Sequence, residues 1–231
     1  MSKVNRPVSR HFPKDFSIIH EDADILVVNK PSGLLTMGTD KEKTRTAYAM
    51  LTDYVRKGYS KSSKRIFIVH RLDRDTSGLL VFAKTVEAKM RLQGRWEETQ
   101  KKYLAVVHGR CGKLEGQITS YLAENKAHVV YSTTDSSKGK LARTAYRVLK
   151  YTKEFSLLEV DLLTGRKNQI RVHLADIGHP VVGDEKYGKK GKGYRRLALH
   201  AVFLSFIHPV SNKRLIFETE FPEYLSKLLG S

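Results

Sequence analysis

Apolar positions along the chain gather mostly in short runs of strand length, and only a few stretches show helical spacing. Residues 16–30 hold two such runs, F-S-I-I-H and D-I-L-V-V-N-K, on either side of the acidic turn Glu21-Asp22-Ala23-Asp24. Their β-branched content predicts two strands. Lys30-Pro31-Ser32-Gly33 then breaks the pattern, as Pro and Gly do. Ala47, Met50, Leu51, Tyr54 and Val55 recur near helical spacing and predict a helix over 44–55, followed by a polar, basic loop over 58–65. Short buried strands are expected at 66–69 and 78–83. Thr85 has the side chain of an N-cap and starts a helix reaching about residue 97.

The second half repeats the theme. Residues 103–108 read as an apolar strand, 115–131 as a hairpin, and 142–151 with 155–163 as a second hairpin closed by Thr152-Lys153-Glu154. Residues 168–177 show helical spacing and stop at Gly178. A Gly- and Lys-rich loop over 183–194 precedes strands at 197–207 and 214–220 and a short helix at 223–229. Hairpin-linked strands with a few interspersed helices do not alternate as βαβα. They predict an α+β fold with a mixed, largely antiparallel sheet and flanking helices and loops. Lacking a Pro/Gly-rich linker, residues 16–231 are expected to form a single catalytic domain, preceded by a flexible basic arm over 1–15.

Composition adds one strong constraint. Lys and Arg total 42 against 24 Asp and Glu, a formal charge of +18, with the basic residues spread over the whole chain. A folded surface of that sign suits a polyanion, since phosphate contacts release counterions and supply sequence-independent affinity. Nucleic acid is the first expectation and an anionic membrane surface the second. No run of about 18 apolar residues is present, so no membrane-spanning helix is expected. Cys111 is the only cysteine, which excludes an intrachain disulfide and a cysteine-cluster metal site and fits a reducing cytoplasm. The histidines show no H-E-x-x-H spacing, so no metal is expected.

The densest chemistry lies at residues 70–84, H-R-L-D-R-D-T-S-G-L-L-V-F-A-K, where charge runs directly into an apolar strand. Asp73 and Asp75 would point to opposite faces if extended, so one working carboxylate fits better than a close acid pair. Thr76 and Ser77 are expected to cap the turn. Lys30 could fix the turn before Pro31 or meet a phosphate. In the loop 186–196, Lys189, Lys190, Lys192, Arg195 and Arg196 are candidate phosphate contacts.

Residues 70–79 resemble the active-site motif of the RluA-type RNA pseudouridine synthases. Three further segments resemble that family's motifs in the same order: V-V-N-K-P-S-G-L at 27–34, K-K-Y-L-A-V-V-H-G at 101–109, and L-L-T-G-R-K-N-Q-I-R-V-H-L-A-D-I-G-H-P-V-V-G-D at 162–184. The resemblance implies a pseudouridine-synthase-like fold and the isomerisation of uridine to pseudouridine in ribosomal or transfer RNA, without a cofactor. It implies Asp73 as the catalytic carboxylate, Tyr103 stacking on the uracil or relaying its C5 proton, and Arg171 as the cation paired with Asp73, with Arg166 the alternative. Arg71 would hold a phosphate or fill the space left by the flipped base, its alternative being a structural pair with Asp75. Lys167-Asn168 stands where the family usually has Ser or Thr followed by His, and an appended S4-type domain is not expected. A monomer acting in the cytoplasm is expected. The competing readings are a non-catalytic RNA-binding protein with the same fold and a metal-independent nucleoside hydrolase.

Overall fold

The computed structural model describes residues 12–40, 42–57, 59, 61–188 and 193–230. In chain order the elements are β1 (Ser17–Glu21), β2 (Ile25–Lys30), α1 (Ala47–Arg56), β3 (Phe67–Ile68), β4 (Ser77–Ala83), α2 (Val86–Gly94) and a 3-10 turn at Trp96–Glu98. They continue with β5 (Gln100–His108), β6 (Glu115–Glu124), β7 (Val130–Thr133), β8 (Lys140–Tyr151), β9 (Phe155–Leu162) and α3 (Gln169–Asp176). The last are β10 (Leu199–Ile207), β11 (Arg214–Glu218) and α4 (Glu223–Leu228). The fold is α+β, as the strand-rich pattern predicts. The chain divides into two compact units, one of Met1–Thr99 with Leu204–Thr219, the other of Gln100–Phe203 with Glu220–Ser231.

In the first unit β1, β2 and β4 lie side by side, all antiparallel, with Lys30 opposite Gly78 at one end of the β2–β4 ladder and Ile25 opposite Ala83 at the other. Every residue of β4 is buried, which accounts for the unbroken S-G-L-L-V-F-A run. One core gathers Ile25 and Val27 of β2, Leu79 and Val81 of β4, Ala88 and Leu92 of α2, and Leu204 and Phe206 from the end of β10. The helices keep their expected places with shifted ends. Helix α1 starts at Ala47 rather than 44, capped by Thr46, whose Oγ1 accepts from the Ala49 amide at 3.1 Å. Thr85 caps α2 as expected, through the Ala88 amide at 3.0 Å. That helix stops at Gly94, short of residue 97, where the chain tightens into the 3-10 turn. The described part of the N-terminal segment packs against this unit: the Phe12 ring lies 4.7 Å from Phe16 and 5.8 Å from Tyr54. The rest of the expected basic arm, residues 1–11, lies outside the described residues.

The second unit carries the antiparallel order β5-β9-β8-β6-β7, the two expected hairpins included. Helix α3 packs here, with Val172 in a core of Leu122, Val130 and Ala142. Six consecutive α3 residues, Gln169 to Leu174, are buried, so its polar side chains need partners inside the protein. At 100° per residue Gln169 and Arg171 point to nearly opposite sides, while Gln169 and His173 share one. Gln169 and His173 accordingly both bond Thr144 Oγ1, at 2.9 and 2.8 Å.

Candidate active site

Asp73 sits half-buried in the loop between β3 and β4. The chain is not extended there: bends at Arg74 and Asp75 interrupt it, so the expectation that Asp73 and Asp75 project to opposite faces does not apply. The loop is held by side chains from the turn that follows β2. Thr36 Oγ1 both donates to the Leu72 carbonyl (2.9 Å) and accepts from the Leu72 amide (3.2 Å). Lys30 Nζ donates to the Arg74 carbonyl at 3.1 Å, and Ser32 Oγ to the Asp75 carbonyl at 2.7 Å. In return Arg74 Nε donates to the Gly33 carbonyl at 3.1 Å. The residues on both sides of Asp73 are therefore pinned to a second segment of chain. On the strand side, the Val81 amide donates to His70 Nε2 at 3.2 Å, and the His70 ring packs 4.7 Å from Trp96.

Lys30 departs furthest from expectation. It is 0% exposed, which excludes the phosphate contact considered from sequence. Its ammonium instead bonds three carbonyls, those of Leu34 (2.8 Å), Pro31 (3.0 Å) and Arg74. Burial pushes its pKa down to about 7, while the charges of Asp75 and Asp73 pull the other way. Thr76 is also corrected: its hydroxyl is buried and caps nothing among the described residues, and Ser32 performs the turn-holding bond. Arg71 is exposed and makes no ion pair with Asp75; its Nη1 lies 3.6 Å from the Met37 sulfur.

Tyr103, Arg166 and Arg171 belong to the second unit. Tyr103 is a buried residue of β5, in register with Val160 of β9. Arg171 is buried on α3 and forks onto Asp184, Nε to Oδ2 at 2.7 Å and Nη2 to Oδ1 at 2.8 Å, while Nη1 reaches Asn168 Oδ1 at 3.4 Å. Asp184 also accepts from the amides of Lys186 and Tyr187. Burial alone would raise its carboxyl, but the Arg171 fork and these amides outweigh it and hold the pKa below the ordinary value. Gly183, just before it, has φ of 77°, and a Cβ there would lie 2.1 Å from the Arg196 carbonyl, so only glycine fits. Arg166 differs from Arg171 in being exposed, with its Nε on the Leu141 carbonyl at 3.1 Å.

The Lys167-Asn168 departure acquires a local rationale. Asn168 starts α3 with φ of 53°, a left-handed conformation that Asn tolerates, and donates to Tyr187 Oη at 2.9 Å. Tyr187 Oη in turn accepts from the Val130 amide, and Lys167 pairs with Glu124. Sequence reasoning missed Thr36, Ser32, Asp184 and Tyr187. Their signal was slight: a lysine ending an apolar strand, and an aspartate directly after V-V-G. In the loop 186–196, Arg196 lies 3.7 Å from the Tyr224 ring, while Lys189, Lys190 and Lys192 are outside the described residues.

Among the described residues one grouping has metal-ligand chemistry, Asp22, Asp24 and His208. Its atoms already serve one another and the turn. Asp22 Oδ2 lies 2.9 Å from His20 Nε2 and 3.1 Å from His208 Nε2, and its Oδ1 accepts from the Asp24 and Ile25 amides. Hydrogen bonding accounts for the cluster without an ion. No described helix is long and apolar enough to cross a membrane.

Comparison with known proteins agrees with the four motifs. Residues 24–176 match the family model described as RNA pseudouridylate synthase. An uncharacterised RNA pseudouridine synthase of Mycoplasma genitalium is 37% identical over 219 residues, covering 91% of this chain and 68% of that protein. Ribosomal large subunit pseudouridine synthase D of Zymomonas mobilis is 36% identical, covering 94% of this chain and 73% of the relative. Human RNA pseudouridylate synthase domain containing 1 superposes with a TM-score of 0.72 at 28% identity, over 90% of this chain and 84% of the other. Human RNA pseudouridylate synthase domain containing 4 shares the fold, with a TM-score of 0.76 at 23% identity over 92% and 91%. The chain belongs to the RNA pseudouridylate synthase family and is of its RluA type, an isomerase acting on RNA.

Proposed function

We propose that Asp73 is the catalytic carboxylate and that residues 16–231 work as one catalytic domain, a monomer acting in the cytoplasm. The reaction breaks the N1–C1′ bond of a uridine, turns the freed uracil, and joins C5 to C1′; C5 loses a proton and N1 gains one, so no redox partner is needed. A carboxylate beside C1′ can act as nucleophile, stabilise oxocarbenium character, or remove a C2′ proton. The observation that carries the assignment is the clamping of both neighbours of Asp73, by Thr36 on Leu72 and by Lys30 on Arg74. A loop pinned this way holds one side chain at one place, which positioning of a reacting group requires.

Arg171 is the proposed cation partner of Asp73. It is favoured over Arg166 because it is buried and its orientation is set by Asp184, whereas Arg166 is exposed. Tyr103 stacks on the uracil or relays its C5 proton. Arg71, exposed and without a carboxylate partner among the described residues, holds a phosphate or occupies the place of the flipped base. The substrate is a uridine in structured RNA. Ribosomal RNA ranks first, because relatives at 35–36% identity are named for the large ribosomal subunit; transfer RNA is the alternative.

Tritium release from RNA labelled at uracil C5 tests this reading. Wild-type protein releases tritium, and Asp73→Asn binds the same RNA and releases none. Release by Asp73→Asn would overturn the assignment of the carboxylate. Pseudouridine mapping in ribosomal and transfer RNA from cells lacking the gene assigns the substrate by the site that disappears.

A further inference from the structure

The basic loop that follows α1 has no part in the site described above, yet it is densely basic. Arg56, Lys57, Lys61, Lys64 and Arg65 fall within ten residues, without an acidic residue between them. The loop is built: the Tyr59 amide donates to the Arg56 carbonyl, the Ser62 amide to the Tyr59 carbonyl, and Arg56 Nε to the Lys64 carbonyl at 2.9 Å. It borders a cavity of about 510 Å³ lined by Lys57, Lys64, Arg65 and Lys84, with Tyr54 and Glu21 among the remaining residues.

The one carboxylate in the lining is already engaged. Glu21 takes Lys84 Nζ at 3.0 Å and the Tyr54 hydroxyl at 2.7 Å. Lys57, Lys64 and Arg65 are exposed and have no carboxylate within ion-pair range among the described residues. The Arg65 guanidinium carbon lies over the Phe67 ring, 4.9 Å from its centroid, a contact that leaves the charge unneutralised. Tyr59 of the same loop is 67% exposed and offers a face on which a base can stack. Like charges held together at a concave surface call for an anion to relieve them, and a cavity of this size admits a nucleotide phosphate and sugar.

The pocket is also distant from Asp73. The Asp73 loop leads into β4 at Ser77, whereas Lys84 follows its last residue, and β3 delivers the basic loop to the same far end, with Phe67 opposite Ala83. A strand of seven residues spans about 20 Å. We propose that this pocket, formed by Lys57, Lys64, Arg65 and Lys84, is a second docking site for the phosphate backbone of the substrate RNA, several nucleotides from the target uridine. The proposal rests on the isomerase reading for the identity of the polyanion.

The test compares wild-type protein, the variant Lys57→Ala/Lys64→Ala/Arg65→Ala, and a control Lys113→Ala/Lys126→Ala/Lys213→Ala that removes the same charge from exposed positions elsewhere. Affinity for labelled total cellular RNA is followed by fluorescence anisotropy over a series of salt concentrations. The pocket variant should bind about tenfold more weakly, with the slope of log K against log salt shallower by about two to three units, and the control should change much less. Equal losses in the two variants would assign the effect to net charge and overturn the pocket. So would a pocket variant indistinguishable from wild type, or wild-type protein that does not bind the RNA. Binding is read without turnover, so a wild-type protein that binds but releases no tritium would overturn the isomerase reading alone.

Discussion

Among the described residues each unit buries one lysine or arginine, and the two are treated in opposite ways. Lys30 of the first unit has its ammonium on three neutral carbonyls, with the charges of Asp75 and Asp73 acting on it only from a distance. Arg171 of the second is forked onto a carboxylate that is itself 0% exposed. A guanidinium stays charged in any protein, so burying one calls for a counter-charge. An ammonium can give up its proton instead, and carbonyls are then partners enough. The Arg171 cradle therefore has a fixed charge over the working pH range, and the Lys30 cradle has a charge that titrates near neutrality.

The sharpest way to break this contrast is Asp184→Asn. It strips the buried guanidinium of its carboxylate, and removing one partner of such a pair costs about 3 kcal/mol or more. For a chain of this length that lowers Tm by about 10 °C. Removing both charges, Arg171→Met with Asp184→Asn, should recover most of the loss, because the desolvation penalty leaves with the charges and Asn keeps an acceptor for the Lys186 and Tyr187 amides. A double variant less stable than Asp184→Asn would show that the guanidinium is held chiefly by groups other than Asp184.

Lys30→Met comes next. Three carbonyls lose a donor, an effect of about 1–3 kcal/mol, partly offset because a buried ammonium no longer has to be desolvated. Its pH signature separates the two cradles. The folded pKa of about 7 lies below the ordinary 10.5, so between these values the unfolded chain holds the extra proton and stability rises with pH. Below about 7 both states are protonated and the contribution is flat. A shift of this size bounds the rise at about 5 kcal/mol. Urea denaturation at a series of pH values should show that rise in the wild type and its loss in Lys30→Met, whereas Asp184→Asn should keep it.

Much of this was visible in the sequence, and the rest was hidden for physical reasons. The strands D-I-L-V-V-N-K and G-L-L-V-F-A were legible because burial on both faces needs unbroken apolar runs. The α1 start moved because Thr46 takes the cap, its Oγ1 bonding the Ala49 amide and its own backbone lying in extended conformation, which leaves residues 44 and 45 outside the helix. The opposite-face reading of Asp73 and Asp75 held only for extended chain, and the bends at Arg74 and Asp75 remove that condition. The bonds from Thr36 and Ser32 join residues 36 and 43 positions apart, beyond the reach of any local pattern. Asp184 was unreadable for a related reason: a carboxylate 13 residues from its arginine looks the same in sequence whether buried or solvated.

Thr76→Val should have the smallest effect and tests the first unit alone. Its hydroxyl is buried without a partner among the described residues, two positions after Arg74, whose carbonyl Lys30 holds. Valine keeps the shape and removes the unpaired group, so stability should rise by up to about 1 kcal/mol, or Tm by about 2–4 °C. The burial that keeps a phosphate from Lys30 keeps RNA from this hydroxyl as well, so Thr76→Val should leave tritium release unchanged. A loss of stability on this substitution would mean that the hydroxyl has a partner in the free protein, and a gain in stability with undiminished release would leave it as a packing residue beneath the Asp73 loop.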